Sequence, residues 1–193
     1  MEDEENLPVV TSDIRETLAR SAVKPAVFSG NGLYRYYLHR RVSNVDSGIA
    51  TFIMLNPSTA DATNNDPTIR KCIGFCRQWG YGQLQVVNLF AVRAVRPSEM
   101  KKSPYPIGRS NRRWVERAID NCSRADQARA VVVCAWGVHG DHRNQDCVVL
   151  EWLAALGVQL QCLGVTRAGH PRHPLYLPYT TELIPYQRMT ARV

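Results

Sequence analysis

The sequence predicts an α/β fold, a three-layer sandwich whose central, mostly parallel four-stranded sheet is flanked by helices. Short, nearly continuous apolar runs recur along the chain, and helix-like stretches separate them. Continuous hydrophobicity is typical of strands that are covered on both faces. Alternation of strand and helix indicates parallel pairing through crossover connections. The predicted strands are residues 49–55, 84–89, 130–135 and 158–163.

The helices are predicted from the signals at their ends. Asp66 is a suitable N-cap with Pro67 at the first helical position, and Gly80 follows the last turn of the same stretch. Gly157 likewise follows the last turn of a later predicted helix. The predicted helices are residues 66–79, 110–123 and 143–156.

Two additions are expected before this core. Residues 11–23 have the capping residues and the apolar spacing of a short helix. Residues 33–42 are rich in aromatic side chains, and we expect them to form a strand that pairs as a hairpin with residues 49–55. Residues 1–8 are acidic and are expected to form a flexible tail. Residues 9–193 are then one domain.

Composition excludes several classes of protein. A chain of 193 residues with 45% hydrophobic and 21% charged residues is neither collagen-like nor intrinsically disordered, and its length fits one domain. The apolar runs are too short to cross a bilayer, and the opening residues lack a secretory pattern. The six cysteines form no C-x-x-C pair. We therefore expect a cytoplasmic monomer with no membrane partner and no disulfide framework.

The charge balance points to nucleic acid. The chain has 24 basic and 17 acidic side chains, a net charge of +7. Because four of the acids lie in residues 1–8, the rest of the chain carries +11. Nucleic acid is the commonest partner of such a field, so DNA, single- or double-stranded, is the expected partner.

Polar residues follow each predicted strand, at the edge where ligands bind in open parallel sheets. Asn56 precedes Pro57 at the end of the first strand, where its amide either forms a plain Asx turn or holds a water or a substrate edge. Asn88 ends the second strand, and a buried amide costs ~1–3 kcal/mol unless it is hydrogen-bonded. Neighbouring backbone or a nucleobase edge could bond to Asn88.

Histidines are concentrated after the third and fourth strands. His170 and His173 lie in the loop GHPRHPLYLP, where an imidazole can donate to an oxyanion or a phosphate. His139 and His142 raise the question of a metal, but H-x-x-H in a loop is a poor match to zinc spacing. No metal and no cofactor are therefore expected. His39 is expected on the surface of its strand.

Arginines are crowded after the second strand and around the start of the next helix. They are either a solvated face or a phosphate-binding surface beside the helix N-terminus at Ser110 and Asn111. No G-x-G-x-x-G and no Walker motif is present, which disfavours a nucleotide cofactor. The predicted phosphate-binding residues are Arg93, Arg96, Arg109, Arg112 and Arg172.

Taken together, these segments resemble the uracil-DNA glycosylase superfamily, and the chain looks like a member of a bacterial and phage domain family of unknown function associated with it. MLNPS resembles the first glycosylase motif in the mismatch-specific branch, where an Asn, here Asn56, replaces the water-activating Asp. VVNLFAVRA resembles the segment whose Asn, here Asn88, reads the pyrimidine edge. CAWGVHG resembles the later Trp–Gly segment, and GHPRHPL resembles the second motif.

The resemblance implies dissociative hydrolysis of the N-glycosidic bond of a flipped pyrimidine. In that reading Asn56 positions water, and either His170 or His173 stabilises the departing base, because the second motif here has one additional residue. Met54 replaces a glycine of the first motif, and the small Ser58 stands where uracil-specific enzymes have a bulky Tyr, which implies room for a 5-substituted base. The substrate-binding residues it implies are Ser58, Asn88, Phe90, Trp136 and, as a duplex wedge, Leu175.

Two other functions are compatible with the same residues. The first is a non-catalytic nucleic-acid-binding module of the same fold, which the missing carboxylate of the first motif favours. The second is a processing enzyme for modified bases or nucleosides, which the small Ser58 would permit.

Overall fold

The computed structural model describes residues 26–44, 47–124 and 129–188. The predicted tail at residues 1–8 and the predicted helix at residues 11–23 lie outside these ranges. No helix of the described residues is long and apolar enough to cross a membrane.

One mixed sheet organises the described chain, with strands in the order β1-β2-β4-β3-β5-β6-β7. The four central strands, β4, β3, β5 and β6, run parallel, and antiparallel strands extend the sheet at both sides. The strands are β1 (Ala26–Phe28), β2 (Arg35–Arg41), β3 (Ile49–Met54), β4 (Gln83–Asn88), β5 (Ala130–Cys134), β6 (Leu160–Cys162) and β7 (Ile184–Pro185).

The helices begin and end close to the predicted residues. Asp66 caps the first helix by accepting from the Ile69 N–H, and Gly80 ends it with a φ of 79°, a left-handed conformation that glycine adopts without strain. The short α2, which begins at Pro97, was not predicted. The helices are α1 (Pro67–Trp79), α2 (Pro97–Lys102), α3 (Asn111–Arg124) and α4 (Gln145–Ala155), with 3-10 turns at Gly137–Asn144 and Pro174–Tyr176.

The predicted α/β class is confirmed, and the sheet is buried on both faces. On one face Phe52 of β3 packs in a cluster with Phe75 of α1. On the other face Val87 of β4 shares a cluster with Val115 of α3 and Leu153 of α4. Burial on both faces explains why the central strands are continuously apolar in sequence.

The sheet has seven strands where four were predicted. The outermost strands, β1 and β7, contain only three and two residues, too few for a recognisable pattern. The predicted hairpin between residues 33–42 and 49–55 is wrong: β2 pairs antiparallel with β1 and β4, with Leu38 opposite Val86. The parallel strands β4 and β5 already occupy both edges of β3.

This placement makes β2 an interior strand, and its polar side chains are buried with it. His39 is 9% exposed, so its predicted surface position is wrong. Arg35 donates to the carbonyl oxygen of Ala60 at 2.8 Å, and Arg40 donates to Oδ1 of Asn65 at 2.6 Å and to the carbonyl oxygen of Asn64 at 3.2 Å. Two buried guanidinium groups of β2 thus hold the loop that connects β3 to α1.

Replacing Asp66 with alanine should lower the free energy of unfolding by about 1–2 kcal/mol. The Asp66 carboxylate accepts from the N–H of Ile69 at 2.8 Å and from the N–H of Ala60 at 3.3 Å, and both donors would lose a partner. Asp66→Asn, which keeps one acceptor oxygen, should lose less. Urea denaturation of both variants is the measurement, with Asp141→Ala on the exposed 3-10 turn as control. Equal stability of Asp66→Ala and the parent protein would contradict this account.

Candidate functional site

The polar segments that follow β3, β4, β5 and β6 lie at one edge of the sheet, because these four strands are parallel. β4 lies on one side of β3 and β5 on the other, so the chain connections diverge between the carboxyl ends of β3 and β5. Such a divergence is the usual ligand position in an open α/β sheet. We call the residues at or just beyond the carboxyl ends of β3, β4 and β5, together with His173 against Gly137, the switch-point site; they are Asn56, Asn88, Gly137 and His173.

Asn56 is half-buried just beyond β3. Its Nδ2 donates to the carbonyl oxygen of Pro57 at 2.9 Å and to that of Ala94 at 2.8 Å. These bonds use both amide hydrogens, tie the β3 loop to the loop after β4 and fix the orientation of the amide. No described residue donates to Oδ1 of Asn56. The side chain therefore has a structural role and still presents an acceptor in a fixed position.

Asn88 ends β4 with an amide that has no partner. The residue is 1% exposed, and neither Nδ2 nor Oδ1 is hydrogen-bonded to a described residue. Asn111 donates to the carbonyl oxygen of Asn88 at 2.9 Å, but this bond leaves the Asn88 side chain unpaired. Of the two partners considered for this amide, neighbouring backbone is not observed among the described residues. An unpaired buried amide costs ~1–3 kcal/mol, so this position calls for a ligand or a bound water.

His173 lies against the carboxyl end of β5. Its Cβ is 3.6 Å from the position that a Cβ on Gly137 would take. Nδ1 accepts from the N–H of Leu175 at 3.3 Å, so in the neutral ring the proton is on Nε2. Burial lowers the pKa of His173 below its usual value, and the charge of Asp66 partly opposes that shift. At neutral pH His173 is therefore a neutral imidazole with Nε2–H as donor.

His170 lies in a different, ionic environment. Its Nδ1 is 3.9 Å from Oδ2 of Asp146, which is completely buried at the start of α4. Arg188 approaches the other carboxylate oxygen of Asp146 at 2.8 Å. The two candidate histidines are thus distinguished by their partners: His173 meets a backbone N–H, and His170 meets a buried carboxylate.

The remaining predicted substrate contacts differ in accessibility. Phe90 is fully buried, with its ring centroid 5.6 Å from that of His142. Trp136 is 1% exposed and packs edge-on against Tyr186, and its Nε1 has no partner among the described residues. Ser58 and Leu175 are partly exposed. The aromatic rings are core residues in this structure, whereas Ser58 and Leu175 are accessible.

The predicted phosphate-binding arginines are exposed but do not form one cluster. Arg93 lies over the Phe28 ring at 5.2 Å, beside β1. Arg112 is ion-paired with Glu116 at 2.7 Å. Arg96 precedes α2 and Arg109 precedes α3, whereas Arg172 follows β6 on the far side of the sheet.

A groove of about 890 Å³ lies beside the turn between β1 and β2, and the sequence did not predict it. None of the switch-point site residues lines it. We call it the tyrosine groove; its side-chain lining includes Tyr34, Tyr36, Tyr105, Arg109 and Arg143. Only the tyrosine-rich run YRYY and the segment SPYPIG hint at it in sequence, and these segments are about 70 residues apart.

No group of three or more His, Cys, Asp or Glu side chains that could hold a metal occurs within the described residues. Cys72 and Cys76 share one face of α1 but are fully buried. Burial raises the pKa of Cys76 to about 12 and raises that of Cys72 well above its usual value. Both are packing thiols, because thiolates are disfavoured there.

Comparison with known proteins identifies a family. The family described as "Protein of unknown function (DUF1643)" matches residues 35–175. No curated protein and no solved structure is a match for this chain. The family match provides no link to the uracil-DNA glycosylase superfamily, so that resemblance stays a prediction.

Stability should fall as the pH is lowered from 7 towards 5. Burial lowers the pKa of His39 and of His173, so the unfolded chain, with histidine pKa values of about 6.5, binds more protons than the folded chain in this range. The loss begins near the unfolded pKa and levels off below the folded ones. Thermal unfolding at several pH values measures this, and His173→Gln should flatten the profile. An unchanged profile in this variant would show that folding does not shift the pKa of His173.

Proposed function

Since the chain belongs to the DUF1643 family of proteins of unknown function, we propose a function from the site itself: recognition of an extruded pyrimidine of DNA and hydrolysis of its N-glycosidic bond. The observation that carries this proposal is the Asn88 amide, which is 1% exposed and unpaired at both atoms. Such groups are few in native proteins, and a ligand or a bound water is a common explanation for one.

A pyrimidine edge is chemically suited to Asn88. The amide offers one acceptor and two donors, and uracil or thymine offers an N–H flanked by carbonyl oxygens. Paired hydrogen bonds of this kind discriminate strongly when the site is dry, because a wrong base leaves buried groups unpaired. A base must leave the DNA stack to reach an amide as deeply buried as that of Asn88.

Asn56 would orient the attacking water. Its Oδ1 is a fixed acceptor, because both amide hydrogens are bound to the carbonyl oxygens of Pro57 and Ala94. An amide oxygen can orient water but cannot remove its proton at neutral pH. Cleavage of the sugar–nitrogen bond would therefore precede attack by the water. The pair of electrons of the sugar–nitrogen bond leaves with the base, the water oxygen then bonds to the sugar carbon, and its proton passes to solvent.

We assign His173, rather than His170, to the departing base. A leaving pyrimidine develops negative charge on its carbonyl oxygen, and a preorganised neutral N–H donor stabilises such charge without a proton transfer. His173 meets this condition, since its Nδ1 accepts from Leu175 and its proton is on Nε2. His170 faces the Asp146 carboxylate instead.

A non-catalytic module that binds nucleic acid is the second candidate. Two observations favour it. Position 56 carries an amide and no carboxylate, and the ring of Phe90, which would stack on a base, is fully buried in the core.

The purified protein should release uracil, mispaired thymine or a 5-substituted uracil from DNA without added metal, leaving alkali-labile abasic sites. Asn88→Ala should abolish base selectivity. His173→Gln should slow cleavage by about 100-fold or more, the usual loss for one oxyanion donor, with little effect on DNA binding. Matched His170→Gln should cleave at close to the parent rate, because the proposal gives His170 no contact with the departing base. Circular dichroism would verify that each variant is folded.

Two outcomes would contradict the proposed chemistry. Tight DNA binding with no abasic sites across single-stranded and duplex substrates would favour the non-catalytic module. Cleavage that survives simultaneous replacement of Asn56 and His173 would place the reaction elsewhere.

DNA binding should be electrostatic, with micromolar or tighter affinity at low salt that falls steeply as salt rises, on the order of a thousandfold between 50 and 200 mM for six phosphate contacts. The physical reason is counterion release by the basic chain, whose net charge is +7. Fluorescence anisotropy with a labelled random duplex measures it. Absence of binding even at low ionic strength would remove nucleic acid as the partner.

A further inference from the structure

The tyrosine groove lies on the same edge of the sheet as the switch-point site but is built from other segments. The turn between β1 and β2 forms one wall, and residues 104–110, which lead into α3, form the opposite wall. Arg143, from the segment that follows β5, closes one side. Its volume of about 890 Å³ is within the range of natural small-molecule sites.

Three tyrosine side chains line the groove. Tyr34 and Tyr36 are stacked, with centroids 6.0 Å apart and an interplanar angle of 9°. Tyr105 on the opposite wall is 75% exposed. The hydroxyl group of Tyr34 donates to the Tyr105 carbonyl oxygen at 2.9 Å and joins the two walls. Rings arranged in this way offer faces on which a planar ligand can stack.

The close approach of the walls depends on Gly108. A Cβ there would lie 2.9 Å from Cδ1 of Tyr34 and 3.0 Å from Cε1 of Tyr36, and the φ of Gly108 is +80°. Only glycine combines this contact with this backbone conformation. The close packing of Tyr34 and Tyr36 against residues 104–110 therefore requires glycine at position 108.

Two cations border the aromatic surface. Arg109 and Arg143 both line the groove, and both are exposed. Arg143 is held by bonds from its guanidinium to the carbonyl oxygens of Ser103 at 3.2 Å and Pro104 at 3.0 Å, which leave three of its five N–H groups for an anion. Arg143 and Asn144 both have a positive φ, 54° and 55°, which is uncommon for residues other than glycine. Backbone strain of this kind is concentrated at ligand sites.

We propose that the tyrosine groove binds a nucleotide unit of single-stranded DNA, with the base stacked on Tyr105 or Tyr34 and the phosphate between Arg109 and Arg143. Stacking faces beside cations are the recurrent solution for single strands, and they tolerate every base because every base has a π face. The charge of +7 favours a polyanion over a free nucleotide. Binding here does not require cleavage at the switch-point site, so the two functions are tested separately.

Fluorescence anisotropy with a labelled thymidine hexanucleotide tests the proposal. Tyr105→Ala should weaken binding by about fivefold or more without changing its salt dependence, whereas Tyr105→Phe should bind like the parent protein. Arg109→Ala should reduce the slope of log affinity against log salt by about 0.7, one phosphate contact to a single strand. Arg143→Asn, which tolerates a positive φ, should reduce the slope by the same amount.

Arg167→Ala is the matched control, because Arg167 is an exposed arginine in the loop after β6, across the sheet from the groove. It should leave the slope unchanged. Photocrosslinking with an oligonucleotide that contains 5-iodouracil should label peptides covering residues 29–36 or 104–110. Label that reaches neither of these peptides, or parent-like binding by Tyr105→Ala together with Arg109→Ala, would overturn the proposal; label on peptides that carry Asn56 or His173 would support the proposed function of the switch-point site in addition. Thymidine monophosphate that binds as tightly as the hexanucleotide would overturn the assignment to a strand.

Discussion

The carboxylate of Asp66 and the two buried guanidinium groups of β2 form the polar network on which the carboxyl edge of the sheet depends. Asp66 caps α1 and binds the N–H of Ala60, and Arg35 binds the carbonyl oxygen of the same residue. Burial lowers the pKa of Arg35 to about 10, and the charge of Asp66 partly offsets that shift. Asp66 also opposes the downward shift in the pKa of His173. The Asp66 carboxylate therefore joins the N-terminus of α1 to the β3 loop.

This edge combines groups that are satisfied with groups that are not. Asn56 has both amide hydrogens bound, whereas Asn88, one strand away, has none of its side-chain atoms paired. The unpaired amide of Asn88 thus destabilises the fold, whereas the hydrogen bonds of Asn56 stabilise the surrounding loops. In the proposed function, the fixed amide of Asn56 would orient water and the unpaired amide of Asn88 would bind the base. The tyrosine groove extends the same edge with stacking faces and cations.

How much could be predicted depended on whether the signal was local. The four parallel strands and α1 were predicted because continuous apolar runs and a capped helix with a terminal glycine are encoded in adjacent residues. The pairing of β2 was not, because a strand with buried His39 and Arg40 looks half-exposed in sequence. Its neighbour β4 is distant in the chain, and β1, although close in sequence, has only three residues. That the polar segments meet at one edge of the sheet could be predicted only because the strands they follow were predicted to be parallel.

The sequence by itself determined the α/β class, the basic charge and the set of amides, histidines and arginines available at the strand ends. Tertiary structure decided which of them meet. It separated His173, which accepts from Leu175, from His170, which faces Asp146. It also brought Tyr34 and Tyr105, 71 residues apart, to opposite walls of one groove. The physical reason is that propensity, capping and burial patterns act over a few residues, whereas a hydrogen-bond partner or a shared cavity depends on how distant segments pack.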